Sequence, residues 1–218
     1  MALPDLVDEV DEELRAERAQ RLAQRFGGAL TGLALIVLAG VGGWEGWKWW
    51  EARQASIAAG QFLQAAEAAS AENADLAAVA QRFGAVAAEA PTGYRTLARL
   101  REAALLAESG NREGALAAWD ALSRDTAVEE LYRDLATVMW ALHSVDSAEP
   151  GSVESRLLPL AADGAPWRAS AREVLALLAI RRGNTEQARR SLEAILSDQA
   201  APQGVRDRAG RLLGGLGS

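Results

Sequence analysis

Cysteine is absent from the 218 residues, histidine occurs once and lysine once. Without cysteine there is no disulfide framework and no thiolate chemistry, a composition that suits an oxidising compartment. The single His143 stands in "MWALHSVD" near the end of a helical pattern, where an imidazole can satisfy terminal carbonyls. A metal site would need further ligands at suitable spacing, and a triad with Ser144 and Asp146 would need a supporting fold. A basic field is lacking as well. The net charge is −7, with 8 acids against 5 bases in residues 1–50 and 22 against 18 in residues 51–218. Nucleic-acid binding is therefore not expected. Gly42-Gly43 and Gly214-Gly215 do not form phosphate-binding loops, and Glu129-Glu130 reads as a solvated helix face. The sequence offers no catalytic, cofactor-binding or metal-binding residue, so no enzyme and no small-molecule substrate are expected. Arginine outnumbers lysine 22 to 1, which reads as base composition of the genome more than as mechanism.

Aromatics are also scarce, with two Tyr and three Phe, but four of the seven tryptophans crowd into "GGWEGWKWWEAR": Trp44, Trp47, Trp49 and Trp50. A buried core would not hold Glu45, Lys48 and Glu51 among its members, because lone buried charges are expensive. A ligand cage needs rings from different elements. The segment just upstream decides between the readings. From Phe26 to Trp44 the chain runs "FGGALTGLALIVLAGVGGW" without a charge, and as a helix it would cover roughly 28 Å, close to the ~30 Å hydrocarbon core. Tryptophan favours the interface, where the ring meets acyl chains and the N–H meets water. The cluster marks the exit of a membrane-spanning helix over residues 26–50. A cleavable signal would start with a short basic region, whereas residues 1–25 hold seven acids and four arginines. Arg15, Arg18, Arg21 and Arg25 precede the span, and Lys48 and Arg53 follow it. That balance puts the N-terminus in the cytoplasm and residues 51–218 outside it.

On a helical wheel Gly28, Gly32, Ala39, Gly42, Gly43 and Gly46 share one side of the span, and Gly28 to Gly32 fits the small-xxx-small pattern. Either another helix packs there or the glycines are ordinary membrane-helix composition. Leu30, Leu33, Val37, Val41 and Trp44 point the other way, and Leu35 interrupts the stripe. Residues 1–25 are predicted to form an acidic amphipathic cytoplasmic helix, with Asp11–Arg15 and Glu17–Arg21 spaced as ion pairs and Leu3, Val7, Val10 and Leu14 as a short stripe. It serves either as a solvated stalk or as a docking helix.

The remaining 168 residues are all helical in pattern and repeat themselves. Residues 95–125 align without gaps on residues 168–198, at an offset of 73 or about two units. In each copy a helix ends in Gly-Asn (Gly110-Asn111, Gly183-Asn184), a small residue follows (Ala115, Ala188), and four positions later comes a large one (Trp119, Leu192). Small against large lets paired helices interlock, and these are spacings of the tetratricopeptide repeat, here without its first-helix tryptophan and tyrosine. A third unit is expected over 127–164, an opening pair over 57–90 and a capping helix over 202–215. The fold class is thus all-α, with one N-terminal transmembrane helix followed by a solenoid of about four hairpins and a cap, about nine helices beyond the span. Trp119, Trp140 and Trp167 are expected in its core.

With these parts placed, the chain resembles the ancillary SecYEG translocon subunits of the α-proteobacterial type. The resemblance is carried by "EVDEELRAERAQRLAQRFG", "GWEGWKWW", "APWRASAREVLALLAIRRGNTEQARRSLEAILSD" and "APQGVRDRAGRLLGGL". It implies a single-pass protein of the bacterial inner membrane with a periplasmic domain. It also implies association with the translocon and a periplasmic folding factor, and no catalytic residues. A stoichiometric structural or assembly subunit of a respiratory or photosynthetic membrane complex is the alternative. Either way the expected partners are the lipid bilayer and other inner-membrane proteins.

Overall fold

The computed structural model describes the backbone of residues 5–217, and side chains from Phe26 onward except Leu30. The proposed charge pairs and apolar stripe of the N-terminal helix, and the direction of Leu30, lie outside the described side chains. Among the described residues there are nine α-helices, one 3₁₀ turn and no strand. The helices are α1 (Asp5–Ala69), α2 (Leu76–Glu89), α3 (Thr92–Glu108), α4 (Arg112–Arg124), α5 (Glu130–Ser144), α6 (Pro150–Leu157), α7 (Arg168–Arg181), α8 (Thr185–Ser197) and α9 (Gln203–Gly215). The 3₁₀ turn, Pro159–Ala161, follows α6 directly.

The chain divides into two units, Met1–Arg53 and Gln54–Ser218. In the first, α1 is long and apolar enough to cross a membrane, and none of its most apolar window is buried. The opening helix expected near residue 57 has no start of its own. Residues 51–69 hold no proline and a single glycine, Gly60, in an alanine-rich run, so nothing stops α1 before Ala69. Among the described residues eight α-helices thus follow α1, against the expected nine or so, because the first helix of the opening pair is the end of α1 itself.

The second unit is a stack of helix pairs. The end of α1 pairs with α2, α3 with α4, α5 with α6, and α7 with α8, while α9 closes the stack. Each core patch is a second helix held between two first helices. Phe83 and Val79 of α2 pack with Ala58 and Ala65 of α1 and with Ala98 and Leu105 of α3. Trp119 and Leu122 of α4 meet Ala103 and Ala136. Val153 and Leu157 of α6 meet Val138 and Val174, and Leu192 and Ile195 of α8 meet Ala176 and Ala209. Half of the buried apolar residues are alanines, so backbones approach closely and bulky residues from one helix fill the space that alanines leave on the next.

The four second helices share one register. A side-chain oxygen caps the helix start at Asp75, Asn111, Glu149 and Asn184. Four residues on lie Val79, Ala115, Val153 and Ala188, all buried. Eight on lie Phe83, Trp119, Leu157 and Leu192, none more than 1 % exposed. Eleven on come Val86, Leu122, Leu160 and Ile195, and fourteen on an acid, Glu89, Asp125, Asp163 and Asp198. A cap frees the first turn from unsatisfied N–H groups, and the +4, +8 and +11 positions share a helix face, so one pattern both starts and buries each helix.

Arginines join successive pairs. Arg112 of α4 donates to the His143 carbonyl, and Arg181 of α7 donates to the carbonyls of Val145 and Ala148 at 2.6 and 2.8 Å. Arg156 of α6 bonds Asp120 and Ser123 of α4 at 2.8 and 2.9 Å and lies 3.9 Å over the Trp140 ring. A guanidinium offers several donors in one rigid plane and can stack that plane on a ring while it donates, whereas a lysine ammonium is a single point charge. Arg112, Arg156 and Arg181 thus have a structural use in joining successive pairs.

Candidate interaction surfaces

At the two Gly-Asn junctions the chain does two jobs with two residues. Gly110 and Gly183 adopt φ of +86° and +71°, a left-handed conformation that glycine enters without strain. After α7 the turn is a full Schellman closure, with Gly183 N–H donating to the Ile180 carbonyl and Asn184 N–H to that of Ala179. Asn111 and Asn184 then accept from the N–H groups of Gly114 and Gln187 at 3.0 and 3.1 Å. Ala115, Ala188 and Leu192 have no exposed surface and Trp119 has 1 %. All eight residues of the repeat motif therefore stand at two equivalent junctions: Gly110, Asn111, Gly183 and Asn184 form the exposed turns, and Ala115, Trp119, Ala188 and Leu192 pack between helices.

The caps at Asp75 and Glu149 had no sequence reading. Asp75 accepts from Ala78 N–H, and Glu149 from Gly151 and Ser152 at 3.0 and 2.7 Å. Those two N–H groups hold the Glu149 carboxyl below the usual carboxylate range. The signal was available as a polar residue followed at +4 and +8 by apolar ones.

Two of the acids at +14 close their own pairs. Arg99 meets Asp125 at 2.5 Å and Arg168 meets Asp198 at 2.7 Å, and each pairing lowers the carboxyl's pKa. His143 does not use its ring on helix-end carbonyls. Its imidazole lies 4.5 Å from the Trp119 ring, and burial, with the nearby Arg112 charge, pushes its pKa down. Trp119 is core. Trp140 and Trp167 are half-buried, and the Trp167 indole N–H donates to the Leu131 carbonyl at 2.8 Å.

The first-helix side of the stack carries a groove. Leu142 of α5, Glu173 and Leu177 of α7, and Arg208, Arg211 and Leu212 of α9 line an open cavity of about 620 Å³. Glu173 is 7 % exposed, and Arg208 matches its charge with two bonds of 2.5 and 2.7 Å. A bidentate pair of this kind fixes both side chains in place. The groove thus has an apolar floor and a rigid charged edge, dimensions and chemistry suited to a segment of another protein.

In the first unit the four tryptophans are half or more exposed and, at 100° per residue, spread around α1. Lys48 lies 5.2 Å over the Trp44 ring and Arg53 5.7 Å over that of Trp49, both one turn along the helix. Trp47 and Trp50 are 5.5 Å apart. Both cations beyond the apolar run are thereby laid against rings. Gly28, Gly32, Gly43 and Gly46 are open, since a Cβ at each would meet no atom within 4 Å, and Ala39 is exposed. No described residue of this chain covers that side.

Comparison with known proteins bears on the whole arrangement. The model of a tetratricopeptide repeat-like domain matches residues 21–150, more than half of the chain. No curated protein and no solved structure matches it. The match ends at the start of α6, yet the same helix-pair register continues through α8. Domains of this kind are typically non-catalytic and mediate protein–protein interaction. By the match and by the repeating pairs alike, the chain belongs to the tetratricopeptide repeat-like domain family.

Proposed function

We propose that the protein is a membrane-anchored interaction scaffold, and that it serves the Sec translocon and a periplasmic chaperone network as an accessory factor. The observation that carries the scaffold reading is the joining of a span-length apolar segment, ending in tryptophan–cation pairs, to a repeat domain of a protein-binding family. The translocon role rests on the sequence resemblance. Residues 1–25 lie in the cytoplasm, residues 26–50 cross the inner membrane and residues 51–218 lie in the periplasm, an orientation supported by the four arginines before the span. Confinement to one membrane raises effective concentration, so weak grooves suffice for capture of partners.

Mild-detergent affinity purification of the native protein with mass spectrometry tests the role. Translocon components and a folding factor in the eluate support it, and their absence beside an abundant other complex overturns it. A reporter fused at Ser218 should be active only in the periplasm; cytoplasmic activity reverses the orientation. The open small-residue side of α1 favours a second reading, a structural or assembly subunit of a respiratory or photosynthetic complex packed through that side. Fixed stoichiometry through chromatography, lost when Gly28, Gly32 and Gly43 are replaced by leucine, would favour it.

A further inference from the structure

The shared register makes two junctions directly comparable. Where α4, α5 and α6 meet, the Arg156 guanidinium is held by Asp120, Ser123 and the face of Trp140. Counted from the caps, the same four places one unit on belong to Ser191 for Arg156, Leu158 for Asp120, Ala161 for Ser123 and Leu175 for Trp140. All four line one open cleft of about 820 Å³ between α7, α8 and the turn after α6. The plug is gone, and so is every group that held it. None of these four places holds a carboxylate or an indole. Leu158, Ala161 and Leu175 give the floor an aliphatic character, with Leu158 56 % exposed, and the carboxylates that line the cleft, Asp163 and Asp198, each lie on an arginine.

The rim has the opposite character. Arg168 and Arg172 stand at its edge, already held by Asp198 and Asp163. Arg190 of α8 also lines the cleft and has no hydrogen bond or ion pair among the described residues. An occupant must therefore present an apolar group to the floor and an anionic group to the rim. We propose that this cleft receives a leucine- or phenylalanine-type side chain from an acidic segment of a protein partner, the apolar group taking the place that Arg156 fills one unit earlier. The inference rests on the scaffold reading and adds a contact on the second-helix side, separate from the groove of α5, α7 and α9.

The test uses the full chain in lipid nanodiscs and fluorescence anisotropy with three short synthetic peptides. The first has central leucines flanked by glutamates, the second the same leucines flanked by lysines, and the third alanines flanked by glutamates. The first should bind about tenfold or more tighter than the other two. Ser191→Phe, which fills the cleft from within, should remove that binding without lowering the unfolding temperature. Should that variant fail to fold, the exposed Arg190→Glu carries the test, and it should reverse the preference toward the lysine-flanked peptide. Equal binding of all three peptides, no binding, or binding unchanged in a folded variant overturns the proposal. Displacement of the peptide by octanoate at equal concentration would assign the cleft to acyl chains and overturn it too. Failure here with translocon partners still recovered from detergent would leave the scaffold reading standing.

Discussion

Leu157 and Leu158 are neighbours in sequence with opposite surroundings, and substituting each by alanine tests the shared register at a unit that lacks the Gly-Asn motif. Leu157 has no exposed surface and sits at the eighth position after the Glu149 cap, among Val138, Val174 and Leu178. Leu157→Ala removes three carbons, which at about 0.8 kcal/mol per methylene amounts to roughly 2.4 kcal/mol of lost transfer energy. The site lies between α5 and α7, both held by arginine bonds, so it closes only in part and a cavity term raises the loss to about 3–4 kcal/mol. Leu158 is 56 % exposed, and Leu158→Ala should change stability by less than about 0.5 kcal/mol. Urea unfolding of the full chain in mild detergent, followed by far-UV circular dichroism, measures both. Equal losses, or a larger loss at Leu158, would refute the register, because a shift of one residue turns the helix by 100° and exchanges the two side chains.

Other expected outcomes follow from the same packing. Ala188→Leu should overpack the α7–α8 contact and cost about 1–3 kcal/mol, read from thermal unfolding. Gly183→Ala should cost about 1–2 kcal/mol, because a Cβ strains the left-handed turn, while Gly60→Ala in open helix should stabilise by up to about 1 kcal/mol. The Arg168 bond lowers the folded pKa of Asp198 below its unfolded value. Its contribution is therefore present above the unfolded value near about 3.9 and is lost as pH falls through the folded one. Asp198→Asn should flatten the acid limb of a stability–pH profile and leave its neutral-to-basic part unchanged in slope.

What could be read from the sequence was what the chain specifies locally. The charge-free run from Phe26 to Trp44 and the positive-φ demand at Gly110 and Gly183 are written in residue type, and both led to the observed elements. The +4 and +8 pairing of Ala188 with Leu192 was visible for the same reason, since both lie on one helix. Asp75 and Glu149 escaped notice because neither follows a glycine, although each starts the same spacing. The arginine bonds were out of reach. Arg112 and Arg181 meet acceptors 31 to 36 residues away, and nothing near either residue names its partner. His143 was misjudged on similar grounds, since the ring that claims it belongs to Trp119 on the preceding helix.

The carbonyl end of α5 is grasped from both sides, by Arg112 of the pair before it and Arg181 of the pair after it. Fraying at either end of the array removes only one of those hands. Amide exchange in such an array should therefore advance inward from both outer pairs, with the amides of α5 protected the longest and exchanging last. Arg181→Lys, which replaces a planar fork by a single point charge, should bring the α5 amides forward in that order while leaving those of α2 where they were.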